Sequence, residues 1–550
     1  MTAGAERLRE ALRGVVEALG VPEADIALER PRDEAHGDLA TNLALQLAPQ
    51  LRRKPRAVAE EIVERLSLPP DVVTRVEIAG PGFINFWLAT GAVADTLRLV
   101  MQAGVAWGRS DSGGGRPVNV EFVSANPTGP LHVGHARQAV LGDAIASLLE
   151  WTGWRVTREF YYNDAGQQIV NLAKSVQGRI HQLRGSDAEI PAGGYHGEYI
   201  RDLAQGYLAA HPADPEGMDL DAVRRLAVSE LRKEQDRDLQ VLGVEFDVYF
   251  LETSLYSAGN VEQTVDRVVA AGHAYEKDGA LWLKTTDFGD DKDRVMRKSA
   301  AKGGDYTYFV PDVAYHVTKW ERGFTRAINV QGADHHGTVT RVRVGLQALE
   351  MGIPAGYPEY VLHQMVTVMK GGQELRISKR AGSYLTLRDL VDQVGADAVR
   401  YFFLMRKSDS HLIFDVDLAT RQSEENPVYY VQYAHTRMAG IFRTAGLDPA
   451  TVTGAEADLT MLREAEEQEL IKRLGEFPGV VAKAAETLEP HRIVAYLEQL
   501  ATAVNRWYHE HRVVGAPPEL ERARLMLARG AQIVLANGLN LLGVTAPERM

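Results

Sequence analysis

Two imidazoles and a glycine share one tetrapeptide, His132-Val133-Gly134-His135. With 16 histidines and 50 glycines among 550 residues, a His-x-Gly-His match arises by chance about 0.04 times, so its placement carries the argument. Val118, Val120 and Phe122 lie on one face of an extended run, and Asn126, Pro127, Gly129 and Pro130 break it. Leu141, Ala144, Ile145, Leu148 and Leu149 then recur at helical spacing as far as Gly153. A strand feeding a helix N-terminus presents unpaired N–H groups and partial positive charge, a setting that suits phosphate. Histidines placed there can donate to an α-phosphate as charge builds on it, and the glycine lets a ligand approach the backbone. The plain alternative is a pair of surface histidines.

Other residue sets invite chemistry less directly. The segment LRISKRAGSYLTL (375–387) sets Arg376, Lys379 and Arg380 around Ser378, ahead of Ala381-Gly382. A mobile cationic loop of this kind can close on a triphosphate and neutralise charge in the transition state, though ordinary basic surface has the same composition. Glu121 interrupts the apolar run VNVEFV. An acid there is costly to bury unless a cation meets it; a solvent-facing glutamate or a structural ion pair is the alternative. Gly332 and Asp334 end the strand-like AINVQGADHHG, where a nucleotide ribose lies in α/β sheets. Asp334 can accept from ribose hydroxyls there, or simply cap a helix.

These residues need an α/β scaffold. Residues 1–108 read as a separate α/β unit: an amphipathic first helix (Leu8, Leu12, Val15, Val16, Leu19), a strand at DIALERP (25–31), a helix capped by Asp38, another beginning at Pro55, and two strands in VEIAGPGFINFWL (76–88). The glycine-rich SDSGGGRP (110–117) marks the boundary. Residues 109–389 alternate strand and helix, with strands at WRVTREFYYNDAG, TYFVPDVAYH and AINVQGADHHG, and with an insertion at about 175–290 containing a hairpin at ALWLKTTDFGDDKD. Residues 390–550 read as helical. The fold class is thus a Rossmann-type parallel-sheet domain between an N-terminal α/β domain and a C-terminal all-α bundle.

Composition narrows the class. Hydrophobic residues make up 45% and charged residues 25% of the chain, as in ordinary globular proteins. No apolar run of about 18 residues predicts a membrane span, and the N-terminus has no secretory pattern, so the expected location is cytoplasmic. The sequence has no cysteine. Disulfides and thiolate metal sites are thereby excluded, no structural metal is expected, and any cation should arrive on a substrate. A net charge of −13 leaves nucleic-acid binding to local clustering of Lys and Arg. Neither a Walker phosphate loop nor a Gly-x-Gly-x-x-Gly fingerprint occurs.

Together, His132–His135 and Arg376–Arg380 resemble the HIGH and KMSKS motifs of class I aminoacyl-tRNA synthetases. EFVSANPTGPLHVGHARQAVLGD, YFVPDVAYH, INVQGADHH, GADAVRYFFL and the terminal ERM resemble bacterial arginyl-tRNA synthetases over nearly the whole chain. HGDLATNLAL and AGPGFINF resemble that family's tRNA-contacting N-terminal domain, and GADAVR its DALR anticodon-binding domain. The second motif departs from consensus at Arg376, Ile377 and Arg380 while keeping Ser378 and Lys379. Arginine's planar fork is not a lysine point charge, which leaves the phosphate role to Lys379.

The resemblance implies an arginine–tRNA ligase using L-arginine, ATP with Mg2+ and tRNA(Arg), acting as a monomer. It implies catalysis by His132, His135 and Lys379; ATP binding by His132, Gly134, His135, Gly332, Asp334, Arg376, Ser378 and Lys379; and arginine binding by Glu121, Ser124, Asn126, His132, Tyr308, Asp312 and His335. A subset of Tyr430, His435, Arg437, Trp507 and Met550 is expected to meet the tRNA, along with Asn85. Another class I synthetase or a non-catalytic tRNA-binding paralogue are the alternatives.

Overall fold

A computed structural model describes residues 3–31, 33–164, 166–307, 309–375, 385–452 and 457–550. Its centre is a five-stranded parallel sheet, with strands Glu359–His363, Ala327–Gly332, Pro117–Glu121, Arg155–Tyr162 and Val248–Leu251 in spatial order. The chain starts in the middle strand, builds outward on one side, then returns to build on the other. That doubly wound order opens a crevice at the C-terminal ends of Pro117–Glu121 and Ala327–Gly332, where α/β sheets take their ligands. The middle strand's Val118, Val120 and Phe122 are fully buried, as a strand covered on both faces requires.

Two expectations about this domain need correction. TYFVPDVAYH is not a strand, because Phe309–Glu321 is a helix. Phe309, Val310, Val313, Ala314 and Val317 are buried on it at helical spacing, and Pro311 falls in the first turn, where a missing N–H costs nothing. The stretch 175–290 is not wholly an insertion either, since Val248–Leu251 is the edge strand of the central sheet. The part outside the sheet is a bundle of helices Gln167–Leu183, Glu198–Ala210 and Leu220–Val241 with its own core, plus a three-stranded antiparallel sheet, Ala274–Lys277, Ala280–Leu283 and Arg294–Arg297.

The N-terminal unit folds on a three-stranded antiparallel sheet in the order Leu39–Thr41, Phe83–Leu88, Val73–Ala79. Pro55 opens a helix as expected. DIALERP forms only an isolated bridge from Glu29 to Ala40. Asp38 does not cap the following helix; it accepts from the Leu88 N–H at 2.7 Å and pairs with Lys472 of the C-terminal helices. Arg30 pairs there as well, with Glu469 and Glu476.

Four long helices, Pro427–Ala445, Ala465–Thr487, His491–Glu510 and Pro518–Leu541, build the C-terminal bundle. Its core is continuous with that of the sheet domain. The expected boundary at 389/390 therefore does not separate two cores: Leu412–Asp415 pairs in parallel with Val366–Lys370. Arg400, in helix Ala396–Leu404, is almost completely buried. It donates to the carbonyls of Leu542 and Leu242 at 2.8 and 2.7 Å and pairs with Asp143 on the helix that follows the middle strand.

Candidate active site

The middle strand ends at Glu121, and the chain then crosses a loop to the helix Val133–Trp151. Val123 and Ser124 sit in the left-handed region, at φ 68° and 41°. For a β-branched valine that is strained backbone, of the kind held where a side chain must be aimed. The Ser124 hydroxyl donates to Glu121 at 2.9 Å and accepts from the Tyr161 N–H at 3.2 Å. From outside, the Gln235 amide donates to the carbonyls of Asn126 and Gly129 at 3.2 and 2.9 Å, and Tyr199 donates to that of Thr128 at 2.9 Å. The insertion thus clamps this loop.

His132 is the N-cap of the helix. Its Nδ1 accepts from the Gly134 N–H at 3.1 Å, while its own N–H donates to His135 Nδ1 at 3.2 Å. The two rings stack with centroids 3.7 Å apart. A Cβ at position 134 would come to 3.0 Å from the His132 ring, a tight contact that the ring would have to shift to relieve. Thr386 bridges to His132, and the Leu387 N–H donates to the Leu131 carbonyl at 2.8 Å. The chain leaving the second motif therefore lies against the first. Arg376, Ser378 and Lys379 lie outside the described residues, as does Tyr308.

Beside the strand end, carboxylates converge. Glu121 is buried and pairs with Lys319, which is fully buried and also donates to Asn329 at 3.2 Å. Asn329 in turn meets His316 Nε2 at 2.7 Å, and burial pushes His316 down to about 4, keeping it neutral. Asp312, one and two turns before His316 and Lys319 on the same helix, is different. Burial, then Glu252 and Glu121, push its carboxyl up to about 7, and no described cation answers it. Glu252 is buried and accepts from Tyr161 Oη at 2.8 Å; its carboxyl is raised chiefly by burial.

Glu159 shows what a satisfied acid looks like in the same layer. It takes both Arg322 nitrogens at 2.8 and 2.9 Å, Asn119 at 2.9 Å and Tyr315 at 2.7 Å. Burial alone would raise it, but these partners hold it below the usual carboxylate value. Around Glu121, Glu252 and Asp312, by contrast, the only described cation in contact is Lys319.

Asn329 and Glu121 are register partners across the switch point. Gln331, two residues on and so on the same face of the sheet, has a buried Oε1 with no hydrogen-bond partner among the described residues. Gly332 and Asp334 follow at the strand end, and a Cβ at 332 would run into the Asp334 carboxylate. Asp334 and His335 are exposed, 3.8 Å apart. Asn126 donates to Gln168 at 2.7 Å instead of facing the carboxylates. Glu121, Ser124 and Asp312 are thus brought together, whereas no described contact joins Asn126 or His335 to them.

The chain matches known proteins over nearly its whole length. Residues 99–435 match the family described as tRNA synthetases class I (R), catalytic domain; 5–88 match the arginyl tRNA synthetase N terminal domain, and 431–550 the DALR anticodon binding domain. The arginine–tRNA ligase of Geobacter metallireducens is 56% identical over 538 residues, covering 96% of this chain and 95% of the relative. The chain belongs to the arginyl-tRNA synthetase family. The ligase of Bordetella petrii is 54% identical over 98% of this chain and 97% of its own. The structure of the Thermus thermophilus synthetase superposes with a TM-score of 0.79 at 25% identity, covering all of both chains.

The residues expected to meet tRNA differ in their exposure. Trp507 is fully buried in the bundle, and His435 is buried with Nδ1 2.9 Å from the Pro547 carbonyl, so both act as packing residues here. Asn85 is buried too, while Phe83 on the same strand is 42% exposed. Arg437 lies over the rings of Tyr433 and Tyr508, at 4.5 and 5.6 Å, and donates to Asn505 at 2.6 Å. Tyr430 packs against the core and reaches Thr502 at 3.4 Å. Met550 is exposed.

Proposed function

We propose that this synthetase activates L-arginine with ATP and transfers it to tRNA(Arg). The observation that carries the amino-acid choice is the carboxylate set Glu121, Glu252 and Asp312, in which one buried lysine leaves an excess of negative charge. A guanidinium is planar, permanently charged and matched to paired carboxylates, and it supplies the cation that Asp312 lacks. A neutral or acidic side chain would leave Asp312 without a cation, at a cost that discriminates strongly.

The reaction needs no protein nucleophile. The arginine carboxylate oxygen forms a bond to the α-phosphorus as the bond to the bridging oxygen breaks and pyrophosphate leaves; a terminal ribose hydroxyl of tRNA then attacks the arginyl carbonyl and AMP departs. Positioning and charge stabilisation supply the rate. His132 and His135, stacked at the helix N-terminus, donate to the phosphates. Lys379 neutralises the leaving pyrophosphate, Arg376 and Ser378 adjoin it, and Mg2+ arrives with the nucleotide. Gly332 and Asp334 take the ribose. Ser124 supports Glu121, Gln331 Oε1 is an acceptor for the substrate ammonium, and Asn126, Tyr308 and His335 complete the amino-acid end. Arg437 with Tyr433 and Tyr508 offers stacking faces and a cation for tRNA, and Tyr430 and Met550 are further tRNA contacts in this reading. No described helix is long and apolar enough to cross a membrane, and the reading places a monomer in the cytoplasm.

Arginine-dependent exchange of labelled pyrophosphate into ATP, measured with and without tRNA, tests this. Exchange driven by arginine and by no other amino acid is expected; exchange driven by another amino acid, or none at all in the presence of tRNA, would refute it.

A further inference from the structure

Arg137 lies two residues beyond His135 on the helix Val133–Trp151. Two residues advance about 200° around a helix, so its side chain leaves on the face away from His135. It is fully buried. Three backbone carbonyls receive its guanidinium: Gln364 at 2.6 Å, Ser410 at 3.0 Å and Lys407 at 3.2 Å. Among the described residues no carboxylate pairs with it, and Asp409 acts on it only through space. Burial pushes the group down to about 10, so it stays charged at neutral pH. A buried cation met only by carbonyls costs more than one met by an acid, as Asp143 of the same helix meets Arg158 and Arg400. The places of the three carbonyls in the fold account for that cost. Gln364 stands just before the strand Val366–Lys370, while Lys407 and Ser410 stand just before Leu412–Asp415, its parallel partner. The backbone joins these two entries as well, since the Gln364 N–H donates to the Ser408 carbonyl at 2.9 Å. Val366–Lys370 turns back through Gln373–Glu374, and the second motif follows in sequence. Arg137 therefore fixes the front of this hairpin to the first-motif helix. Thr386 and Leu387, against His132 and Leu131, fix the chain that returns from it.

We propose that Arg137 is a positioning residue that sets the separation between the first motif and the hairpin from which the second departs, and so governs the steps that involve pyrophosphate. This rests on the ligase reading above and deepens it. Activation needs both motifs on one triphosphate, where a displacement of about 1 Å is worth about 100-fold in rate. Arginyl transfer between AMP and tRNA involves no pyrophosphate, so a shifted hairpin leaves it intact. The planar fork explains why arginine stands here: it directs separate N–H groups at three carbonyls that belong to two different loops.

The test measures two reactions with each enzyme. One is arginine- and tRNA-dependent exchange of pyrophosphate into ATP. The other is the reverse of transfer, in which the AMP phosphate attacks the arginyl ester of charged tRNA, the ribose hydroxyl leaves, and arginyl-adenylate and free tRNA result. The ratio of the two rates does not depend on how much of the enzyme is folded. Arg137→Met should lower kcat for exchange about 10- to 100-fold, while AMP-dependent deacylation and the Kd for arginine stay within about twofold of wild type. Arg137→Lys, which keeps the cation without the planar fork, should fall between the two. A fall of both reactions in one proportion would mean that Arg137 only supports the fold, and it overturns the proposal, as does wild-type exchange in either variant. If Arg137→Met does not fold, the ratio in Arg137→Lys decides. Absence of arginine-dependent exchange in the wild-type enzyme would instead sink the ligase reading.

Discussion

Replacing Asp312 by Asn tests the electrostatic account of substrate choice at its weakest-paired acid. The change keeps the side chain's size and removes its charge. With its carboxyl near 7, Asp312 is half ionised at neutral pH in the free enzyme, and a guanidinium requires the anion. Restoring that anion costs about 0.4 kcal/mol at pH 7, about 1.4 kcal/mol at pH 6 and almost nothing at pH 8. Wild-type enzyme should therefore bind arginine about tenfold more weakly at pH 6 than at pH 8, with the midpoint near 7. A hydrogen bond between charged partners contributes about 1.5–3 kcal/mol, so Asp312→Asn should raise the Kd for arginine roughly 10- to 150-fold at pH 8 and flatten the pH profile. Stability should move the other way. The folded carboxyl lies above its ordinary value of 3.8, so its contribution favours folding at low pH and is lost as pH rises through 7. Above pH 7 the free protein carries a disfavoured anion, at a cost of at most about 4 kcal/mol. Asp312→Asn should thus raise the Tm of the free enzyme, by more at pH 8 than at pH 5. Calorimetric titration of arginine at pH 6, 7 and 8, with thermal melts of the free proteins, reads both effects. A wild-type Kd that is flat between pH 6 and 8, or equal losses of arginine and ATP binding in the variant, would refute the reasoning.

Two further substitutions probe neighbouring groups. His135→Ala should lower the rate of adenylate formation about 10²- to 10³-fold, as for removal of one preorganised donor to developing charge; an unchanged melting curve with near wild-type single-turnover rate would remove His135 from the chemistry. Lys319→Met strands Glu121 as a buried unpaired charge and should destabilise the free protein by about 3–5 kcal/mol. Since arginine would bring its own cation to Glu121, the substrate should raise the variant's Tm more than it raises the wild-type Tm, and an equal rise would mean that Lys319 and the substrate do not share that acid.

What the sequence made legible was local. The strand, turn and helix of 117–151 could be read because the period of apolar residues changes from 2 to 3.6 across an Asn, Pro and Gly cluster, and each signal lies within a few residues of its consequence. The helix Phe309–Glu321 mimics a strand in sequence through its aromatic and β-branched content. Its polar residues hold the better clue: Asp312, His316 and Lys319 recur at positions i, i+4 and i+7, a stripe that only a helix brings to one face. Val248–Leu251 is a four-residue strand whose place in the sheet depends on pairing with residues some 90 positions earlier, and no local pattern reports that. Tyr429, Tyr433, Arg437 and Trp507 have the same aromatic and basic character in sequence, yet the fold leaves the first three half-buried and buries Trp507 entirely, because helical spacing fixes which residues share a face and not which face meets the core.

The same distinction explains why Glu121 could be singled out while its role could not be completed. An acid in an apolar strand announces that a cation must meet it, and the fold supplies one internally in Lys319. Taken alone, that pairing favours a structural ion pair. It is the surplus that changes the conclusion. Glu252 arrives from the start of the helix after the edge strand, and Asp312 from the helix packed over the sheet, so that three acids from separate segments converge where the one described ion pair is Lys319 with Glu121. A pocket built only for stability would balance these charges, as Arg322 balances Glu159 a few ångströms away. Leaving Asp312 unanswered costs the free enzyme stability, a cost recovered when a cation of the right shape enters. The selectivity therefore resides in an imbalance spread over three chain segments, which is why the strand that carries Glu121 and leads into His132 could indicate the site without revealing what fills it.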